Sequence, residues 1–548
     1  MSGAYGATVF GGIQTVFNFL YIIRICDHTM VMEAASRGSF MRGVGILTIA
    51  GIISKLLGAL YRIPLTNILG AEGMGLYQMV FPLFTILISV SSGGICIAIS
   101  KLVSENLALG ENKTAIDIFR VSLRYVCVSS VIVILLLLLT APFMAELQGR
   151  KTLAQCYYAV APAIFFAAIS AVMRGFFQAR FEMTVTASLQ LVEQLSRLAF
   201  GLYLAYKLLP QGVEYGVQGA LIGVSLSEML SCLVYVIVYH GRGFLPFFGS
   251  ALSNRQYNFA RVFRTSLPVA IGGIIMPLSQ FVDSVLVVNI LSREISANVA
   301  TAQYGIFTGP VQSLVNLPVI LTISLAAAVV PAVSRYVADR AKSELRDKST
   351  LSMKFSYFIG VGGGSLLFSL APQLRLIYPT LSSEQIFLAV SLLRIGSLSV
   401  VFLAGVQIYT ALLQGLGLAQ VAVKNLAVAV IVKTLLGVIL LFALGIYGAC
   451  VASVACYAVA FFLNRRKFNA YCNIKLAKIV SHILAAGVII ILPVCVFSLL
   501  SDSALVLAVA VISGIAYVLV AAKKTFTADE LRSIPYGDKL VKFFGIRE

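Results

Sequence analysis

Apolar segments of about 20 residues follow one another along almost the whole chain, separated by short polar connections. An α-helix rises about 1.5 Å per residue, so about 20 apolar residues cross the roughly 30 Å hydrocarbon layer of a bilayer. Fourteen segments are long enough, and we number them spans 1 to 14. They lie near residues 44–68, 76–100, 119–141, 156–173, 187–206, 217–239, 266–290, 306–331, 355–371, 388–412, 421–444, 446–463, 479–499 and 503–521. The sequence therefore predicts an all-α polytopic membrane protein of about 14 transmembrane helices.

The composition excludes several classes of protein. Hydrophobic residues make up 59% of the 548 residues and charged residues 11%, which rules out a soluble globular chain. The net charge of +19 comes from basic residues in short connections, where they contact anionic headgroups, so no nucleic-acid partner is expected. No Cys-X-X-Cys pair occurs and the 3 histidines are far apart, so neither a metal site nor a cofactor is predicted.

Lys and Arg gather in every second connection, and cytoplasmic connections carry this excess in membrane proteins. The basic side receives residues 101–120, 174–180, 242–264, 335–348, 424, 465–467 and 523–524. The other side has only Arg150, Lys151, Lys207, Arg293 and Arg375. Both termini are thus expected in the cytoplasm, which requires an even number of spans.

The chain also repeats itself at an offset of about 240 residues. The matches pair residues 171–175 with 411–415, Glu193 with Lys433, and residues 100–105 with 334–339. Parallel six-span repeats related by an axis along the membrane normal are a known transporter plan, with alternating access to a cavity between the lobes. The predicted organisation is an N-lobe at 41–243, a C-lobe at 244–463, two further spans at 464–522 and a cytoplasmic tail at 523–548.

Residues 1–40 are interpreted as an N-terminal extension, with the true start near Met32. Residues 9–25 are apolar but interrupted by polar side chains, and no basic stretch precedes them, so they make a poor signal peptide. The alternative is a weak interfacial helix.

Two cations stand in span 1, where no acid accompanies them. Lys55 and Arg62 are seven residues apart, so they lie on one face of one helix. Charges at membrane depth are costly and usually face a cavity, and two cations on one face suit an anionic headgroup. The alternative for Arg62 is snorkelling to the outer interface.

Further charges stand in later spans. Glu193 and Arg197 are four apart in span 5 and are expected to pair, while Arg174, at the end of span 4, suits either the cavity or a loop anchor. Glu228 in span 6, Asp283 in span 7 and Lys433 in span 11 are candidates for the cavity wall. We assign Glu228 and Asp283 to ion coupling and the others, with Lys55 and Arg62, to substrate binding; a structural hydrogen bond is the alternative for Asp283.

The sequence lacks the common motifs for ATP binding, metal-dependent hydrolysis and serine hydrolysis. It has no GxxxxGK[ST] loop for ATP, no HExxH and no GxSxG, and no large polar domain. The chain is therefore not predicted to be an enzyme.

Residues 46–78 read ILTIAGIISKLLGALYRIPLTNILGAEGMGLYQ. This stretch, with Gly175-Phe-Phe-Gln178, resembles the stage V sporulation protein B group of polysaccharide-biosynthesis proteins. That group belongs to the multidrug/oligosaccharidyl-lipid/polysaccharide exporter superfamily, alongside the lipid II flippase MurJ. The resemblance covers residues 40 to about 520 and is strongest over the first two spans.

The resemblance implies two six-helix lobes and 14 spans in a bacterial plasma membrane. It also implies flipping of an undecaprenyl-pyrophosphate-linked sugar for cell-envelope or spore-cortex synthesis, with basic residues of span 1 lining a cationic cavity. Lys55 falls on a basic position of the flippase pattern, whereas Arg62 falls one residue beyond another such position, which is Tyr61 here. Spans 13 and 14 are expected to extend a groove for the polyprenyl tail.

The sequence thus predicts a flippase for a lipid-linked anionic oligosaccharide. Either Na⁺ or H⁺ is the expected coupling ion, and envelope-synthesis enzymes are expected partners. One alternative is a multidrug or cation antiporter of the same fold, which would favour net acid in the cavity. The other is a non-transport scaffold, in which the cavity charges would be dispensable.

Overall fold

The structure is a computed structural model that describes residues 37–244, 255–472, 474, 477–500, 503–532 and 537–544. Most of the predicted N-terminal extension lies outside the described residues, as do parts of the predicted tail. The described chain is almost entirely helical, and no strand occurs in it. The helices are α1 Arg37–Ser92, α2 Ile95–Ala108, α3 Asn112–Leu147, α4 Leu153–Ala179, α5 Met183–Leu208, α6 Val213–Gly241, α7 Arg255–Leu291, α8 Ala297–Ile306, α9 Gln312–Ala338, α10 Lys342–Leu370, α11 Leu374–Ile377, α12 Ser383–Gly415, α13 Ala419–Leu444, α14 Ile446–Asn469, α15 Ala477–Leu500, α16 Ser503–Thr525, α17 Ala528–Arg532 and α18 Gly537–Phe544.

Twelve helical segments of the described chain are long and apolar enough to cross a membrane. The first, Gly45–Ala108, has 64 residues and bends at Gly70, whose φ of 69° lies in the left-handed region that glycine tolerates. At about 1.5 Å per residue, each side of this bend is long enough for a crossing. Helix α5 has 26 residues but falls outside the twelve because it carries Glu193, Arg197 and other polar side chains. Dividing the first segment and adding α5 accounts for the fourteen predicted spans.

The chain divides into two compact units, Met1–Val285 and Leu286–Glu548. The division falls inside α7. The part of α7 in the first unit packs closely on the junction of α1 and α2, since a Cβ at Gly93 would lie 2.8 Å from the Cβ of Ala270. A Cβ at Gly94 would lie 2.4 Å from the carbonyl oxygen of Ser266. Span 7 therefore rests on the N-terminal half of the chain along part of its length.

The two units repeat the same helix packing. In the first unit α5 packs on α6, and α4 contacts α2, α3 and α6. In the second unit α13 packs on α14, and α12 contacts α9, α10 and α14 in the corresponding way. These matched neighbours confirm the predicted pair of pseudo-symmetric six-helix lobes.

Two glycines occupy equivalent positions in this repeat. A Cβ at Gly175 in α4 would lie 2.7 Å from the carbonyl oxygen of Cys96 in α2. A Cβ at Gly415 in α12 would lie 3.0 Å from the carbonyl oxygen of Val330 in α9. In both units two helix backbones therefore approach so closely that a side chain is not accommodated, as is common between membrane helices.

The helix bounds correct one of the sequence matches. Helices α5 and α13 have 26 residues each, and Arg197 and Lys433 are each the fifteenth residue of their helix. Glu193 is the eleventh residue of α5 and corresponds to Ala429. Lys433 is thus the counterpart of Arg197 rather than of Glu193, because α4 continues for four residues past Gly175, whereas α12 ends at Gly415.

The C-terminal helices fold back on the second unit. Lys354 in α10 has an exposed side-chain fraction of 7% and contacts both carboxylate oxygens of Glu530, at 2.7 and 2.8 Å. Leu531 is fully buried in an apolar cluster with Leu351 and Phe526. The start of the predicted tail is therefore attached to the membrane-spanning part by a largely buried ion pair.

We expect Gly175→Ala to lower the thermal stability of the protein, because the added Cβ would collide with the backbone of α2. Overpacking of this kind costs about 1–3 kcal/mol. The matched control is Gly51→Ala, since Gly51 is helical and has open space where a Cβ would stand. The chain has no Trp, so melting is followed through a fused fluorescent protein in detergent. Equal melting temperatures for the two variants would contradict the close contact.

We also expect Glu530→Gln to loosen the C-terminal helices, because it leaves the Lys354 ammonium buried without a countercharge. Glu530 keeps 26% of its side chain exposed, so the cost is about 1–2 kcal/mol, less than for a fully buried pair. Hydrogen exchange of residues 526–532 should accelerate. The control is Asp538→Asn, whose partner Arg532 is exposed; if it accelerates exchange equally, the attachment does not depend on the buried pair.

Candidate functional site

Three helices of the first unit bring four charged side chains together. Arg197 on α5 contacts Glu193 at 3.1 Å and, through the same Nη2 atom, Glu228 on α6 at 2.7 Å. The other oxygen of Glu193 lies 3.4 Å from Nη2 of Arg174 on α4. Four of the residues predicted for the site therefore form one network, which we call the ion network.

Close helix contact makes this network possible. Gly201 lies one turn after Arg197 on α5, and a Cβ at Gly223 of α6 would lie 2.4 Å from the Cα of Gly201. The two backbones therefore nearly touch beside the network. At that separation a single guanidinium on α5 spans the gap to Glu228.

The formal charges within the ion network cancel, since it contains two arginines and two glutamates. Glu228 is buried, and the Glu193 and Arg197 side chains are only 12% and 17% exposed. Charges in such surroundings are stable when they are paired and hydrogen-bonded. The predicted pairing of Glu193 with Arg197 is confirmed.

Two tyrosines of α1 lie beside the network and were missed by sequence reasoning. Tyr61 and Tyr77 are 4% and 2% exposed, and their rings meet edge to face at 6.5 Å. The Tyr61 hydroxyl packs against Gly201, since a Cβ there would lie 2.4 Å from it. Neither that hydroxyl nor Nε of Arg197 has a hydrogen-bond partner within the described part of the chain. The sequence signal that points to Tyr61 is its position, since it stands where the pattern of MurJ-like flippases has a basic residue.

The cations of span 1 lie close to this contact. Between Lys55 and Arg62, a Cβ at Gly58 would lie 3.4 Å from the side-chain oxygen of Gln194, the neighbour of Glu193 on α5. At 3.6 residues per turn, Lys55 and Arg62 lie about a quarter turn around α1 from its contact line with α5. Lys55 is exposed and Arg62 is half-buried. The cationic face of α1 is thus next to the ion network.

The other predicted residues lie elsewhere. Lys433 is 8% exposed on α13, in the second unit. Asp283 is half-buried on α7, one residue before Ser284. The Ser284 hydroxyl accepts a hydrogen bond of 2.7 Å from Gln148, whose amide also donates to the carbonyl of Met79. This polar contact joins α7 to α1 and to the end of α3. The ion-coupling roles of Asp283 and Glu228 stay predictions.

Metal ligands are not grouped in the part of the chain that the structure describes: no three His, Cys, Asp or Glu side chains converge there.

The fold has close counterparts among solved structures. A lipid II flippase MurJ in an inward closed conformation matches 87% of this chain and 98% of its own, with a TM-score of 0.69 and 14% identity. An inward-facing multidrug resistance MATE family transporter of the MOP superfamily matches 76% of this chain and 95% of its own, with a TM-score of 0.67 and 15% identity. The chain therefore has the fold of MOP-superfamily transporters.

Sequence relatives show to which family of transporter-like membrane proteins the chain belongs. Residues 40–337 match the family described as polysaccharide biosynthesis protein. The chain is 30% identical to stage V sporulation protein B of Bacillus subtilis over 92% of its length and 99% of that protein. It is 26% identical to the lipid II flippase MurJ of the same organism, over 76% of this chain and 80% of that protein. The chain belongs to the polysaccharide biosynthesis protein family.

Arg197 should be the most costly residue of the network to remove. Arg197→Met leaves two carboxylates buried together, so we expect a loss of about 3–5 kcal/mol. Combining it with Glu228→Met should cost less than the sum of the single changes by about 1–3 kcal/mol. The measurement is a double-mutant cycle on melting temperature. The control cycle is Arg335 with Asp339, an exposed pair at 3.6 Å, which should give a coupling near zero. Additive losses at Arg197 and Glu228 would contradict the network.

Proposed function

We propose that this chain is a flippase that moves a lipid-linked anionic oligosaccharide from the cytoplasmic to the outer leaflet by alternating access. The observation that carries this proposal is the cationic face of α1, formed by Lys55 and Arg62 with no acid in the same span. It is supported by the membership of the chain in the polysaccharide biosynthesis protein family.

The depth of Lys55 favours a functional role over anchoring. Lys55 stands about 27 Å along α1 from Arg37 and about 22 Å from the bend at Gly70, at roughly 1.5 Å per residue. It is thus near the middle of its span, where a lysine side chain does not easily reach either interface. Lys55 is exposed and has no ion-pair partner among the described residues. A cation in this position is best accommodated by a water-filled cavity or an anionic ligand.

The proposed substrate is an undecaprenyl-pyrophosphate-linked sugar used in cell-envelope or spore-cortex synthesis. Its diphosphate would bind Lys55 and Arg62, because a guanidinium binds phosphate oxygens in a bidentate manner and an ammonium acts as a point charge. The names of the relatives, a stage V sporulation protein and a lipid II flippase, support this class of substrate.

The ion network is proposed to form the wall behind this cationic face. Because Arg174 and Arg197 are held by Glu193 and Glu228, the network would add polar surface without adding net charge. Lys433 stays a candidate substrate-binding cation of the second unit. Of the two ion-coupling candidates, Asp283 is favoured for coupling to a Na⁺ or H⁺ gradient, because Glu228 is bound by Arg197.

A cation antiporter of the same fold is a weaker candidate. Such a transporter needs carboxylates that are available to a cationic substrate. Glu193 and Glu228 are both bound by Arg197, so they are poorly suited to that task.

Lys55→Ala should reduce translocation at least about tenfold, the equivalent of losing one charge-assisted contact of about 1.4 kcal/mol. Lys55→Arg should retain most activity because it keeps the charge. The measurement is lipid II translocation in cells depleted of their own flippase, at equal membrane levels of each variant. Lys207→Ala is the control, since Lys207 stands at the end of α5. Full rescue by Lys55→Ala would contradict the cationic site. Failure of every variant including the wild type would point to another lipid-linked glycan, or to the scaffold role.

A further inference from the structure

A second basic site lies in the first unit, where α2 runs beside the start of α7. The two helices line a half-open cavity of about 400 Å³. Its polar lining consists of Lys101, Glu105, Arg261, Arg264 and Thr265. This is the end of the unit that the distribution of basic connections places in the cytoplasm.

The cavity carries an excess of positive charge. Glu105 bridges two of its cations, with one oxygen 3.9 Å from Lys101 Nζ and the other 3.5 Å from Arg261 Nη2. Arg264 is exposed and has no ion-pair partner among the described residues. Three cations thus face one carboxylate, which leaves a net charge of about +2 for an anion to neutralise.

An exposed apolar strip continues from the cavity along both helices. Ile97, one turn before Lys101 on α2, is 56% exposed. Leu267 and Ile271, one and two turns after Arg264 on α7, are 41% and 55% exposed. Residues at these spacings share a helix face with the cations. The groove is therefore cationic at its end and apolar along its length.

We propose that this cavity binds the phosphate headgroup of an anionic glycerophospholipid of the cytoplasmic leaflet, with the acyl chains lying along Ile97, Leu267 and Ile271. Basic pockets between membrane helices at the cytoplasmic side are suited to such headgroups. A soluble phosphate would use the three cations but not the apolar strip. The site is separate from the cationic face of α1, and the proposal does not depend on which lipid the protein transports.

The bound lipid would join α2 to α7. These helices already meet where Gly94 approaches the backbone of Ser266, about half a turn from the cavity residue Arg264. A headgroup held by Lys101 on one helix and Arg264 on the other would strengthen that contact from the membrane surface.

The test is native mass spectrometry of the purified full-length protein, titrated with phosphatidylglycerol and with phosphatidylcholine of the same acyl chains. The variant Lys101→Gln/Arg264→Gln should weaken phosphatidylglycerol binding by about fivefold per cation removed, the equivalent of about 1 kcal/mol each. The control is Arg335→Gln/Lys342→Gln, because Arg335 pairs with Asp339 as Lys101 pairs with Glu105. All four residues are exposed, so both variants should keep the melting temperature of the wild type.

A loss confined to Lys101→Gln/Arg264→Gln and to phosphatidylglycerol would support the site. Equal losses in the two double variants would overturn it in favour of general surface attraction. Equal binding of the two lipids would exclude recognition of a charged headgroup. Competition by millimolar glycerol phosphate would assign the cavity to soluble phosphates, and preferential binding of undecaprenyl phosphate would assign it to the transported lipid.

Discussion

The first unit depends on keeping charge stable inside a membrane, and the pairing of Arg197 with Glu193 and Glu228 is how it does so. Each of these groups alone would carry a desolvation penalty of several kcal/mol. Their pairing requires α5 and α6 to approach within backbone contact, which Gly201 and Gly223 allow. The same two glycines therefore serve both helix packing and ion pairing. They bring α5 and α6 together, and this places the charged side chains within contact distance of one another.

Comparison of the two repeats distinguishes the residues required for helix packing from the residues that form the ion network. Gly175 and Gly415 both allow close backbone contact in their own unit, so the packing is shared. The cation at the fifteenth position of α5 is kept as Lys433 in α13, whereas Glu193 is replaced by Ala429. In the first unit Arg197 pairs with Glu193 on its own helix and with Glu228 on α6, whereas α13 has an alanine where α5 has Glu193. Because α5 and α13 have equal length, they differ at this position in the side chain and not in the extent of the helix.

Hydropathy predicted the membrane spans well, because the ability of a helix to cross a bilayer depends mainly on its length and its apolar composition. Span 5 was expected at 187–206 and α5 covers Met183–Leu208. The turn between spans 1 and 2 was expected within residues 69–75, and the helix bends there, at Gly70. The contact between Arg174 and Glu193 was not predictable in this way, since it depends on how α4 and α5 are rotated about their axes. The mismatch of Glu193 with Lys433 arose because α4 extends four residues past Gly175 whereas α12 ends at Gly415, and a constant offset does not detect this.

Tyr61 explains how the cationic face of α1 is arranged. One residue along a helix turns a side chain by about 100°, so Tyr61 and Arg62 point in clearly different directions. Tyr61 is buried against Gly201 beside the ion network, where a third cation would disturb the charge balance. Arg62 lies within about 20° of Lys55 around the axis, because seven residues nearly complete two turns. A base at position 62 rather than at position 61 is therefore aligned with Lys55 and leaves an uncharged ring against α5. The proposed diphosphate headgroup would therefore meet both cations on the same side of α1.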